Sequence, residues 1–480
     1  MALLKLVGEQ KPRQIAAQVL LQRRAGGEFI EDRLQATLAG AALSPADRGL
    51  CQEIVYGVVR WQATLDWLIA RKTDGREQKP ALQNLLRLGL YQIFWLDRIP
   101  DHAAVHETVE LAKQNGFGPQ AGFVNALLRG YLREHGETKK LLAGLKVSQP
   151  ALGGSHPEWL VARWQKRWGA EKTAQLLAWN NTPPKTYARV NTLKFGGTDR
   201  ARLWSKTQPQ PAGQTGDIGN APAAAAGAPR TAAPQIMADA GDPLTQWRAE
   251  NVEYDFVRRD WLEENLVFEL KSHPPLTSLE SFRQGWFYIQ DPGTLLAVCK
   301  LGPKPGETIL DFCAAPGGKT TFIAQLMNNQ GRLVAQDVSE ERLKWIGENC
   351  ARLGITCVEP ILSSAFSLQP SAFDRVLVDA PCSNTGVMRR RVDLRWRIQP
   401  KEIERLRAAQ LDLLGQAATQ VKPGGVLVYS TCSLEPEENQ EVVKQFLSEH
   451  AGYKLESERE LLPFVDIVDG AYVARMKQSE

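Results

Sequence analysis

The chain has 480 residues, is 43% hydrophobic and 23% charged, and carries a net charge of +4. That length predicts two to four domains at roughly 100–200 residues each. The composition excludes wholesale disorder and fibrous repeats. No run of about 18 apolar residues occurs, so no membrane-spanning helix is expected. The opening MALLKLVGEQKPRQ lacks a signal-peptide pattern.

The cysteines are Cys51, Cys299, Cys313, Cys350, Cys357, Cys382 and Cys432, an odd number with no C-x-x-C pair. This argues against a disulfide framework or a zinc site and for a reducing compartment. A cytoplasmic protein without a metal is expected. Charge is uneven, at +5 over residues 1–146 and −1 over the rest. The basic end suggests a polyanion partner.

Residues 1–146 read as a helical bundle. Apolar residues recur at helical spacing in Ile15, Val19 and Leu20, in Ile54, Val55, Val58 and Val59, in Leu82, Leu85 and Leu86, and in Leu127 and Leu128. Residues 147–285 form a less regular middle domain. There Ser155 is placed to cap a helix, with Glu158 completing a capping box. Tyr187–Asn191 reads as a strand. Residues 207–235 hold no aromatic residue and one large aliphatic, Ile218, which predicts a disordered insertion within this domain.

From residue 286 to 480 strands and helices alternate. Strands are expected at Thr308–Phe312, Leu333–Gln336, Cys357–Leu362, Arg375–Val378 and Val426–Tyr429. Helices are expected at Lys319–Met327, Ser339–Leu353 and Pro400–Val421. The pattern predicts a doubly wound α/β domain with a mostly parallel sheet. Ligands bind such sheets beyond the C-terminal strand ends.

The first strand leads into Cys313-Ala314-Ala315-Pro316-Gly317-Gly318-Lys319-Thr320. Gly318-Lys319-Thr320 fits the end of a phosphate-binding P-loop, but Cys313 stands where its first Gly belongs. An adenosine-type cofactor is the other reading. It asks for an acidic residue about 20 positions on, and Asp337 is there. The fourth strand ends in Asp379-Ala380-Pro381-Cys382-Ser383, which also suits an ATPase. The last leads into Ser430-Thr431-Cys432-Ser433, putting a second cysteine beside the crevice. A helix opening at Pro436-Glu437-Glu438 would place a positive field near Cys432.

These three turns resemble the motifs of the RNA cytosine-C5 methyltransferases, which carry two cysteines. Tyr56–Arg60, Val109–Lys113 and Phe123–Arg129 are similar to the helical RNA-binding domain shared with the NusB antitermination factor. Ser155–Leu160, Arg189–Leu193, Gln290-Asp291 and Asp469–Arg475 extend the likeness over nearly the whole chain outside 207–235. The resemblance implies a NusB-like bundle at 1–146, an RNA-binding α/β domain at 147–285 and a Rossmann-like catalytic domain at 286–480. It implies S-adenosylmethionine as cofactor and 16S ribosomal RNA as partner, for an enzyme expected to act as a monomer.

The resemblance assigns the nucleophile to Cys432 and product release to Cys382. Asp379 and Lys319 would contact the base. Cofactor contacts would come from Cys313, Ala314, Ala315, Pro316, Gly317, Gly318, Lys319, Asp337 and Asp379. Two departures stand out. Ser363 and Ser364 replace the family's acidic residue after the third strand, and Arg391-Val392-Asp393 replaces its Arg-His-Pro-Asp. Arg389, Arg390, Arg391, Arg395 and Trp396 form a basic and aromatic run near Cys382, expected to contact RNA. Competing readings are a methyltransferase acting on tRNA or another rRNA, a NusB-like binding factor without activity, and the ATPase.

Overall fold

The computed structural model describes residues 11–23, 28–194, 243–365 and 370–480, so the 207–235 segment lies outside the described residues. Helices fill the N-terminal part: Pro12–Gln22, Ile30–Ala39, Pro45–Arg60, Gln62–Lys72, Pro80–Trp95, Asp101–Gln114, Ala121–Arg133 and His135–Ser148. Their apolar faces make one core containing Ile15, Val19, Ile54, Val58, Leu85 and Leu128. Gly57 is fixed by packing, because a Cβ there would lie 1.8 Å from the Tyr91 ring. Among the described residues no helix is long and apolar enough to cross a membrane.

The helix Glu158–Asn180 opens the middle region and bends at Gly169, whose φ is +80°. Ser155 does not cap it. Its φ is +54°, and its Oγ accepts from the Ala63 N–H at 3.1 Å, tying the chain to the bundle instead. Behind it lies an antiparallel sheet of β1 (Thr186–Val190), β2 (Glu253–Phe256), β3 (Val267–Ser272) and β4 (Phe287–Ile289), in the order β2-β3-β1-β4. β4 falls just past residue 285, so the middle sheet borrows a strand from the region assigned to the catalytic domain.

The catalytic sheet contains β5 (Thr308–Phe312), β6 (Arg332–Asp337), β7 (Val358–Leu362), β8 (Phe373–Asp379), β9 (Val421–Thr431), β10 (Tyr453–Leu461) and β11 (Ala471–Gln478). Its order is β10-β11-β9-β8-β5-β6-β7, with β5 to β9 parallel and β11 antiparallel to both neighbours. The C-terminal antiparallel pair was not foreseen from the apolar pattern. Val421, expected to end a helix, instead begins β9, since Pro400–Ala418 stops earlier.

Side chains alternate across the sheet. Ile309, Leu377 and Val428 enter the core on one face, and Leu310, Val376 and Leu427 enter the core on the other. β5 has β6 on one side and β8 on the other, so the winding reverses there. The turns after β5, β6, β8 and β9 therefore face one crevice.

Candidate active site

After β5 the backbone takes left-handed turns at Cys313 (φ +73°) and Gly317 (φ +97°) before the helix Gly318–Leu326. A Cβ on Gly317 would be strained by that φ and would lie 3.2 Å from Ile346. The Ala314 N–H donates to Gln336 O at 2.8 Å, holding the turn against the end of β6. The small residues 313–318 leave the helix start open to a ligand.

Asp337 is buried at the end of β6. Its carboxylate accepts from the N–H groups of Ala315 (3.1 Å) and Ser339 (3.2 Å), with Arg342 at 3.3 Å. Asp311 is fully buried in β5 and accepts from Thr320 Oγ1 at 2.6 Å. Its second oxygen has no partner, although the side chain is enclosed. Burial pushes its carboxyl up to about 7; Thr320 opposes this and the neighbouring Asp379 adds to it. An orphaned buried carboxylate oxygen beside an open glycine turn fits a cofactor carrying positive charge, as a sulfonium or an ammonium does.

Across the crevice, Lys319 Nζ lies 2.6 Å from Asp379 Oδ2, and Ser430 Oγ donates to Asp379 Oδ1 at 3.1 Å. Burial works to lower the Lys319 ammonium, but Asp379 outweighs it and the net shift is upward. The Lys319 ammonium is therefore charged at neutral pH. Asp379 remains about a third exposed, so its carboxylate is accessible from the crevice.

The two cysteines meet. Cys382 Sγ and Cys432 Sγ are 3.3 Å apart, and the Cys432 thiol donates to Asn384 Oδ1 at 2.9 Å. Their turns are zipped by Gly386 N–H to Cys432 O (2.9 Å) and Leu434 N–H to Thr385 Oγ1 (2.8 Å). A Cβ on Gly386 would lie 2.5 Å from Gly470 O, so only glycine permits this contact. The hydrogen bond with Cys432, together with burial, pushes the Cys382 thiol well above its ordinary value. After Cys432 the residues Pro436–Glu438 form a single 3-10 turn, and the helix proper begins at Gln440.

Comparison with known proteins agrees with this geometry. Family models match at residues 10–133 (NusB family), 156–208 (a ferredoxin-like domain of RsmF/B-like methyltransferases) and 298–474 (16S rRNA methyltransferase RsmB/F). The chain is 34% identical to the probable ribosomal RNA small subunit methyltransferase B of Bacillus subtilis, over 92% of this chain and 89% of that one. It is 31% identical to ribosomal RNA small subunit methyltransferase B of Escherichia coli O1:K1, over 97% and 98%. The chain belongs to this methyltransferase family. The crystal structure of PH0851 has the same fold, with a TM-score of 0.71 at 22% identity, covering 98% of this chain and 99% of that one.

As a family member the chain is a methyltransferase dependent on S-adenosylmethionine, which fits the crevice of Asp311, Gly317 and Asp337. Among the described residues no group of three or more His, Cys, Asp and Glu side chains is arranged to hold a metal.

The structure buries most of the basic run after Cys382. Arg389 is buried, pairing with Asp469 (2.5 Å) and Asp291 (3.3 Å) and lying 4.0 Å from the Trp179 ring centroid. Arg390 joins the same two carboxylates at 2.5 and 2.9 Å. Arg395 is fully buried, donating to Asn181 Oδ1 (2.8 Å) and to the carbonyls of Asn180 (3.0 Å), Ser155 (3.2 Å) and Arg60 (3.3 Å). Trp396 donates from Nε1 to Val59 O at 2.7 Å and packs, with Val392, against the N-terminal core. Arg389 and Arg395 are thus buried among their partners and Trp396 is packed against the N-terminal core, while Arg390 is half-buried. Arg391 alone of the five is exposed, its guanidinium 5.4 Å from the Phe29 ring.

Two residues were missed as site residues. Asp311 was visible as the one charge inside an apolar strand. Arg189, wholly buried in β1, donates to Gly318 O and Thr321 Oγ1, each at 2.9 Å, and so pins the first turn of the cofactor-side helix.

Proposed function

We propose that this methyltransferase moves a methyl group to C5 of a cytosine in 16S ribosomal RNA through a covalent bond between Cys432 and C6. The observation that carries this is the 3.3 Å contact between two thiols at neighbouring strand ends, beside Asp379 and the cofactor crevice. C5 of cytosine is a weak nucleophile. Addition of the Cys432 sulfur to C6 pushes the C5=C6 electron pair toward C5, making that carbon enamine-like. S-adenosylmethionine, when bound, would supply the electrophilic methyl group that C5 attacks.

Asp379 is placed to accept from the exocyclic amine and, once N3 has taken up the proton that the Cys432 thiol loses on addition, from N3–H, with Lys319 fixing its carboxylate. After methyl transfer water in the crevice takes the C5 proton, the C–H electron pair reforms the C5=C6 bond and the C6–S bond breaks, so Cys432 leaves as a thiolate. Cys382, whose raised thiol is protonated, serves that elimination by giving its proton to the departing Cys432 sulfur 3.3 Å away and regains one from solvent. The base enters unstacked, because C5 and C6 are inaccessible inside a helix. Gly317 and Asp337 hold the cofactor's adenosine end. The bundle at 10–133 and the relatives' names support ribosomal RNA as the partner.

Labelled S-adenosylmethionine offered with purified 16S, 23S and transfer RNA tests this reading. The expected product is 5-methylcytosine in 16S RNA. Label in transfer RNA alone, or at a nitrogen, overturns it.

A further inference from the structure

The two cysteines sit on different strand ends, and nothing in either turn alone sets the distance between them. The turns are zipped directly at Gly386 and Thr385, and Glu438, outside both, also bonds to each. Glu438 is fully buried, and its carboxylate accepts four hydrogen bonds from neutral groups. Oε1 accepts from the Ser383 N–H (2.8 Å) and from Gln410 Nε2 (3.1 Å). Oε2 accepts from the hydroxyls of Ser383 and of Ser433, the latter at 2.5 Å. Ser383 directly follows Cys382, and Ser433 directly follows Cys432.

We propose that Glu438 is a positioning residue that fixes the two thiols in register by tethering the residue after each. This rests on the two-cysteine reading given above. The next residue reinforces the tether. Asn439 accepts from Thr431 Oγ1 at 2.6 Å and donates to Ser433 O at 2.9 Å. The Tyr429 hydroxyl holds the Glu438 carbonyl at 2.7 Å. Burial pushes the Glu438 carboxyl up while the Ser383 and Ser433 donors oppose it, so the group is retained against a desolvation cost. A packing role alone would be met by an apolar side chain. A four-acceptor carboxylate makes sense where two loops must hold a fixed separation.

Thiol proximity can be read without catalysis. Phenylarsine oxide joins two neighbouring thiols, PhAsO + 2 RSH giving PhAs(SR)2 and water. The full-length protein should take up one equivalent across Cys382 and Cys432, located by peptide mass and lost in Cys382→Ala. In Glu438→Ala this capture should fall about tenfold, and turnover should fall about 100-fold, the effect of a ~1 Å misplacement. Affinity for S-adenosylmethionine should stay within about twofold, because Asp337 and Gly317 are untouched. Glu438→Gln keeps acceptor and volume and should restore most of the capture.

If Glu438→Ala fails to fold, the double variant Ser383→Ala/Ser433→Ala decides. It keeps the backbone tether and should lose about threefold or more of the capture. Capture and turnover at the parent level in whichever variant folds overturn the proposal. If the parent methylated no RNA, the base-methylation reading would fail, and arsenical capture would still decide the role of Glu438.

Discussion

Lys319 on the cofactor-side helix and Asp379 at the end of β8 form an ion pair of 2.6 Å across the point where the sheet's winding reverses. One end of this pair lies at the cofactor turn and the other three residues before Cys382. Lys319→Met keeps the stem and removes the charge that orients the carboxylate. Single-turnover methyl transfer should slow about 100-fold, the usual weight of a positioned proton-handling group. Calorimetry should show cofactor affinity changed much less than the rate.

The cysteines should fail differently. If Cys432 is the nucleophile, Cys432→Ala should give neither methyl transfer nor an RNA adduct. Cys382→Ala should still attack and methylate, and a denaturation-resistant protein–RNA complex should accumulate on a gel. An adduct trapped by Cys432→Ala but not by Cys382→Ala reverses the roles. Full turnover by both variants excludes covalent catalysis.

Asp337→Ala removes a carboxylate already aligned by two backbone N–H groups. Cofactor binding should weaken by about 1.5–3 kcal/mol, the range for a hydrogen bond to a charged group, or roughly 10- to 150-fold. Competition calorimetry with S-adenosylhomocysteine measures this directly.

Asp311 supplies a pH signature. Its carboxyl is raised to about 7. The unfolded chain ionises it near 4, so its contribution to stability is fully present below that pH and is lost as pH rises through 7. A cationic cofactor should draw off the proton, so affinity should strengthen about tenfold from pH 6 to pH 8. Asp311→Asn should flatten that profile and raise the melting temperature more at pH 8 than at pH 5. An unchanged profile excludes Asp311 from the cofactor contact.

Arg389→Met tests the buried cluster. It leaves Asp291 and Asp469 with Arg390 alone, and stranding a buried charge costs about 3–5 kcal/mol. Denaturant unfolding should show that loss. RNA affinity measured on the remaining folded protein should not change.

The catalytic domain was legible because each strand carries a run of apolar residues and each site residue sits at a strand end. Asp337, Asp379, Cys382 and Cys432 all lie where strand-end counting puts them. The basic run misled for a physical reason. Arg389 and Arg390 are paired by Asp291 and Asp469, which lie about a hundred positions before and eighty after, and local charge counting cannot see such partners. Ser155 had the right type and spacing for a cap, but Ala63 competed for its hydroxyl. β10 and β11 escaped notice because β10 is largely exposed and reads as polar.

Val392 and Trp396 have a consequence for synthesis. The chain is made from its N-terminus, so the bundle emerges complete except for a seat that Trp396 fills 337 positions after its partner Val59. Until then the seat presents apolar surface. Such distant contacts form late, after loop closure has been met. A C-terminal fragment cut from the bundle would expose Val392 and Trp396 to association.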